Sequence, residues 1–243
     1  MDKLLNNPYG QDVLSQGAAV QEAISRFDDA PIRRLAREYR EGRFDRLILK
    51  TSRKTGIPAR LLKNLFARES QFWPSVLTDT DEIGLGQLTD EGAETVLLWN
   101  PEFFEQFCPQ ALSKTRCARG YLRLKEDEQM LLRAALLNSA DAFCQDCPLG
   151  LDINAAEVSV GTFANTLQAN CEQTGQVVLN ATGHPPNEVV EYVDLWKFTL
   201  ANYNAGPGCL YRAVEQTYGN QPLTWENVSA NLMVGNFGPE VAL

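Results

Sequence analysis

The sequence predicts a mainly α-helical protein, and three observations carry that prediction. Alternation of apolar and polar residues is almost absent, apolar residues recur at helical spacing, and Pro, Gly and Asn punctuate the intervals. The clearest stripe lies in "LLKNLFARESQFWP", residues 61–74. With Leu62 as zero, Leu65 projects near roughly −60°, Phe66 near +40° and Glu69 near −20° on a period of about 100° per residue. A second stripe, Val189, Val193, Trp196, Leu200 and Tyr203, keeps within roughly 40° of one line.

Taken in order, residues 11–43 read as helical, with Val20, Ala23, Ile24 and Phe27 at helical spacing. A second piece there starts at Asp29 as cap with Pro31 in its first turn. "FDRLILKTSRKTG" is a short apolar helix ending at Gly56. A helix over 58–72 follows, because Pro58 suits a first turn and Pro74 disfavours helix just before it. Residues 74–89 are irregular, with Gly84, Gly86 and the acids Asp79, Asp81 and Glu82. Thr89 stands as cap of "DEGAETVLLW", which Asn100–Pro101 breaks. The cysteine-bearing stretch 101–150 holds one good helix, "DEQMLLRAALLNSADAF". "INAAEVSVGTFANTLQANC" is helical in its later part, with Val158, Phe163 and Leu167 as expected core. "EVVEYVDLWKFTLANY" forms one helix, "NAGPG" stops it and "CLYRAVEQTYG" begins another.

Composition narrows the function classes. The chain has 243 residues, enough for one large domain or two small ones, and a net charge of −9. Nucleic-acid binders show the opposite balance, so that class is set aside. No run of apolar residues is long enough to span a membrane. The start, "MDKLLNNPYGQD", lacks the apolar core of a signal peptide. An exported chain of this kind has lost a leader, belongs to a longer chain, or leaves by another route. Cys108, Cys117, Cys144, Cys147, Cys171 and Cys209 are an even count. They suit disulfides in an exported protein, or the first four suit a Cys₄ zinc site; the irregular spacing, with one CxxC, favours disulfides. The single histidine, His184, lies in a Gly/Pro loop and reads as surface.

Glu69 is the residue that breaks the pattern. It points the way the leucines point, in the last turn before the chain breaks. Partial burial beside Phe66 and Trp73 and the negative end of the helix dipole both disfavour its charged form. A carboxylic acid that stays protonated near neutral pH is what a glycosidase uses as general acid. On this stretch alone, a snorkelling or salt-bridged glutamate, paired with Arg68 or Arg60, is the competing reading.

Three pieces then stand together: "ESQF" headed by Glu69, "GLGQLT" at 84–89 and "ANYNAGPG" at 201–208. In this order they resemble the SLT-type lytic transglycosylases, whose domain is similar to that of goose-type lysozymes. The family pattern is a helix ending in Glu–Ser, then Gly–Leu–Met–Gln–Leu, then Ala–x–Tyr–Asn–Ala–Gly. The resemblance covers roughly 50–99 and 150–230; "INAAEVSVGTFANTL" is a weaker match to the helix before the tyrosine. It implies a lysozyme-like helical domain over 46–243, with an N-terminal helical extension at 1–45 and a cysteine-bearing insertion at about 101–150. It also implies Glu69 as catalytic acid, Tyr203 as the tyrosine whose hydroxyl sits near that acid, and Gln87 as a cleft-lining amide. Ser70, Gly84 and Asn204 fall at neighbouring substrate-binding positions. Gly86 departs from the pattern, which has methionine there, and the departure removes an apolar wall of the sugar site.

The implied activity is cleavage of the MurNAc–GlcNAc link of peptidoglycan glycan strands with formation of a 1,6-anhydro sugar. One glutamate serves as acid and base, without metal or cofactor, outside the cytoplasm: periplasm, cell envelope or virion. Two alternatives stay open. A hydrolase of the same fold would use one of Asp79, Asp81 or Glu82 to activate water. A non-catalytic module would bind glycan or serve as a structural part of a virion or secretion machine. Apart from these two, a third possibility is that 101–150 is a separate small cysteine-stabilised unit gripping a partner.

Overall fold

The computed structural model describes residues 44–70, 72, 82–144, 146–147 and 152–234. The expected helices of 11–43, and Trp73, Pro74, Asp79 and Asp81, lie outside those residues. Among the described residues the protein is mainly helical, as the spacing predicts. The helices are α1 (Asp45–Thr55), α2 (Ala59–Glu69), α3 (Asp90–Trp99), α4 (Pro101–Phe107), α5 (Lys114–Cys117) and α6 (Glu126–Ala140). They continue with α7 (Ile153–Thr182), α8 (Pro186–Val189), α9 (Tyr192–Ala205), α10 (Pro207–Thr217) and α11 (Trp225–Val234). Short 3₁₀ turns stand at Cys108–Gln110 and Tyr121–Arg123. The chain divides into two compact units, each made of two segments.

The first unit comprises the described residues up to Asp90 together with Met130–Ala164. Gly56 ends α1 in the left-handed region at φ 76°, donating its N–H to the Ser52 carbonyl. Glycine reaches that conformation without the Cβ penalty, which is why the helix stops there. Pro58 caps α2, and Lys63 pairs with Asp45 at 2.7 Å to tie α2 to α1. The predicted stripe of α2 is the core: Leu62, Leu65 and Phe66 are buried. Phe66 lies 4.9 Å from the Phe163 ring and 6.2 Å from Phe72. Phe72 in turn stacks on Phe44 at 5.8 Å. α2 ends at Glu69, a turn short of the predicted 72, and Phe72 bonds back through its N–H to the Phe66 carbonyl.

α7 runs further at both ends than the spacing predicts. Phe163 and Leu167 are buried as expected, but Val158 is 43% exposed. Its neighbour Ser159 is buried instead, because its hydroxyl accepts the N–H of Leu85. A small polar residue with a guaranteed donor displaces valine from the inner face.

The second unit comprises Glu91–Gln129 and the described residues from Asn165 on. Asn100 caps α4, accepting the Phe103 N–H, and Pro101 fills the first turn. A disulfide joins Cys108 to Cys117. Phe104 packs edge-on to Tyr121 at 6.1 Å. Buried Glu128 accepts the Lys125 N–H and pairs with Arg116 at 3.1 Å. Further along, Val177, Val178, Phe198, Ala201, Leu210 and Val214 form a core shared with α11.

Two expectations about this unit are corrected. The stretch 188–203 is not one helix: Val190 is extended and separates α8 from α9. Nor is Val189–Tyr203 the inner face. Val193 is 63% exposed, and α9 buries Phe198, Thr199, Ala201 and Asn202. Apolar periodicity misses this because the buried face includes an asparagine whose amide donates to the Asn170 carbonyl and to Gln173 Oε1.

Four of the six cysteines are accounted for by disulfides, Cys108–Cys117 and Cys144–Cys147. The Cys₄ zinc alternative is thereby removed, since bridged sulfurs no longer present thiolates. Cys171 and Cys209 are free thiols. The cysteine-bearing stretch is shared between the units rather than standing apart. Among the described residues no helix is long and apolar enough to cross a membrane.

Candidate functional site

The first unit builds its site from the end of α2 and the turn before α3. Glu69 closes α2 and is half-buried. Burial raises its pKa above the ordinary glutamate value, the Glu82 carboxylate raises it further, and Arg68 opposes both. The direction is the one the sequence predicts. The second cause is a neighbouring acid, Glu82.

Ser70, next along, is wholly buried, and its hydroxyl donates to the Phe66 carbonyl at 3.2 Å. Its hydrogen bond closes the helix end. Phe72 is also fully buried, so its ring belongs to the core and offers no open face for a sugar. It holds a positive φ of 59°.

Gln87 sits on a tight turn. Ile83 and Leu88 exchange backbone hydrogen bonds of 2.9 and 2.8 Å, leaving 84–87 as the tip. Every residue from Gly84 to Leu88 is buried. Gly84 is at φ 72°, and a Cβ there would lie 2.5 Å from both the Ala140 carbonyl oxygen and Ser159 Oγ. At Gly86 a Cβ would lie 2.0 Å from Phe163 Cδ2. The glycines therefore let the turn approach α6 and α7 closely. Phe163 fills the space that any side chain at 86 would enter, so glycine at this position has a packing cause.

Gln87 takes φ 51° without being glycine, a conformation worth about 1–3 kcal/mol of strain that surroundings must impose. Its Nε2 donates to the Gly84 carbonyl at 2.8 Å. Its Oε1 is buried with no donor among the described residues. A buried acceptor left this way costs about 1–3 kcal/mol, which a ligand N–H or O–H would recover.

Tyr203 and Asn204 belong to the second unit. They occupy the last turn of α9, Tyr203 half-buried and Asn204 exposed, with the Asn204 amide donating to the Leu200 carbonyl at 3.1 Å. Gly206, at φ 81°, ends that helix and opens α10. His184 is on the surface, 3.4 Å from Glu188. Among the described residues no cluster of three or more His, Cys, Asp or Glu side chains is arranged to hold a metal ion.

Spacing does not reveal Ser159, because a serine in a helix reads as solvent-facing until its backbone donor is known. Compared with protein-family models, curated proteins and solved structures, the chain matches none.

Proposed function

We propose that the chain is a peptidoglycan lytic transglycosylase acting through a single glutamate, Glu69. The observation that carries this reading is the placement of that carboxyl: half-buried at the end of an apolar helix face, where burial and a neighbouring acid raise its pKa. Glu69 gives its proton to the glycosidic oxygen between MurNAc and GlcNAc, and the bond to C1 of MurNAc breaks. The carboxylate then takes the proton of the MurNAc 6-hydroxyl as that oxygen bonds to C1. The product is 1,6-anhydroMurNAc, with no water consumed. Holding the nucleophile inside the substrate supplies a large effective concentration, so a second carboxylate is unnecessary.

Gln87 supports the reading through its unsatisfied Oε1, which suits the N–H of an acetamido group. The resemblance implies Tyr203 and Asn204 as further site residues, while buried Ser70 and Gly84 contribute by packing the helix end and the turn beside Glu69 and Gln87. The two disulfides fit an extracytoplasmic setting.

One observation favours a second reading. Glu82 is close enough to act on the Glu69 carboxyl, and a paired acid of this kind activates water in a hydrolase. Mass spectrometry of purified peptidoglycan treated with wild type and with Glu69→Gln decides. Anhydro ends from wild type and none from the variant are expected. Reducing ends transfer the proposal to hydrolysis with Glu82. Undiminished lysis by Glu69→Gln removes Glu69 from the chemistry, and no release by either protein leaves a glycan-binding or structural module.

A further inference from the structure

We propose that Ser159 is the positioning residue for Gln87, setting its amide through the backbone of the 84–87 turn; this rests on Gln87 being a sugar-binding group.

Three contacts converge on that turn from one stretch of helix. Ser159 Oγ accepts the Leu85 N–H at 3.0 Å, across 74 residues of sequence. The same oxygen lies 2.5 Å from where a Cβ on Gly84 would be, so no bulkier residue at 84 permits the approach. One helical turn on, the Phe163 ring closes over Gly86. Ser159 and Phe163 are four residues apart on α7 and so share a face. Between them they grip the two residues that precede Gln87.

The grip has work to do because the turn is strained. Gln87 stands in the left-handed region, which a glutamine leaves when nothing holds it there. The Gly84 carbonyl accepts both the Gln87 N–H at 3.3 Å and its Nε2 at 2.8 Å. Fixing Gly84 and Leu85 therefore fixes the side-chain amide too, with its Nε2 engaged and its Oε1 left for a donor. Without Ser159 the buried Leu85 N–H has no acceptor, and the turn must open to find water. Gln87 then relaxes and its amide is no longer preset.

The experiment is a double-mutant cycle on binding of tetra-N-acetylchitotetraose, read by calorimetry in the Glu69→Gln background so that nothing is cleaved. Ser159→Ala and Gln87→Ala are each expected to weaken binding about tenfold, the worth of one hydrogen bond. Adding Ser159→Ala to Gln87→Ala should then weaken it no further, because the group being positioned is gone. A purely structural defect multiplies with Gln87→Ala instead, and that result, or unchanged binding in Ser159→Ala, overturns the proposal. Ser159→Cys keeps the size with a poor acceptor and serves if the alanine variant does not fold. If the protein with Ser159 and Gln87 intact does not bind the sugar, the glycan reading of Gln87 fails. Hydrogen exchange then judges the positioning separately. Faster exchange of the Leu85 and Gln87 amides in Ser159→Ala upholds it, and unchanged exchange overturns it.

Discussion

Placing a methyl group on Gly86 tests the packing that shapes the candidate site. The new carbon would stand 2.0 Å from Phe163 Cδ2, which is roughly 1.5 Å inside the best carbon–carbon separation. The ring has little freedom to retreat, being buried and packed against Phe66 at 4.9 Å. Overpacking of this kind puts Gly86→Ala at about 2 kcal/mol of lost stability. Phe163→Ala loses burial and leaves a cavity, for about 4 kcal/mol. Independent effects would sum to about 6 kcal/mol in the double variant. With the ring gone, however, the methyl has room and fills part of the hole. The double variant should therefore lose about 4 kcal/mol or less, a coupling of about 2 kcal/mol between the two positions. Urea unfolding of the four proteins at one temperature measures it, provided that the slopes agree. Additivity to within about 0.5 kcal/mol would refute the close approach of Gly86 to the ring.

Two further predictions concern stability. Because the Glu69 pKa is raised in the fold, the native state binds that proton more tightly than the unfolded chain. Its contribution is then full below the ordinary carboxyl value of about 4.3 and declines as pH rises through the raised folded value. The urea midpoint of wild type relative to Glu69→Gln should fall across that window and level off above it; a difference that rises with pH contradicts the shift. Separately, the Cys108–Cys117 bridge closes a loop of about ten residues, which chain entropy rates at about 2–3 kcal/mol. Cys108→Ala/Cys117→Ala should lose that much in denaturant, and a loss below about 1 kcal/mol would mean that the bridge constrains little.

Much of the fold is written in local spacing. Gly56, Pro58 and the Leu62–Phe66 stripe mark out α1 and α2 because caps and amphipathic faces act over a few residues. Asn100–Pro101 is legible for the same reason. What fails is of longer range. Val158 looks like core and Ser159 like surface until the Leu85 N–H arrives from a remote turn. The apolar line through Val193 looks inward until Asn202 proves to be the buried partner of Asn170 and Gln173. For the candidate site, the raised pKa of Glu69 follows from the stripe itself. The assistance of Glu82 does not, and neither does the reason for glycine at 86. Both depend on which groups meet across the unit, and a single sequence carries no measure of that.

Asn202 has one more effect, on how α9 can sit. Sliding or turning that helix by one residue swings each side chain by about 100°. Gln173 Oε1 would then face alanine or a phenol where it now finds an amide donor, and an inner acceptor would go unmet. A purely greasy seam tolerates such slippage; this one has a keyway. Tyr203, the next residue along, consequently has its place on the helix axis set by its neighbour's amide, whatever its own hydroxyl touches.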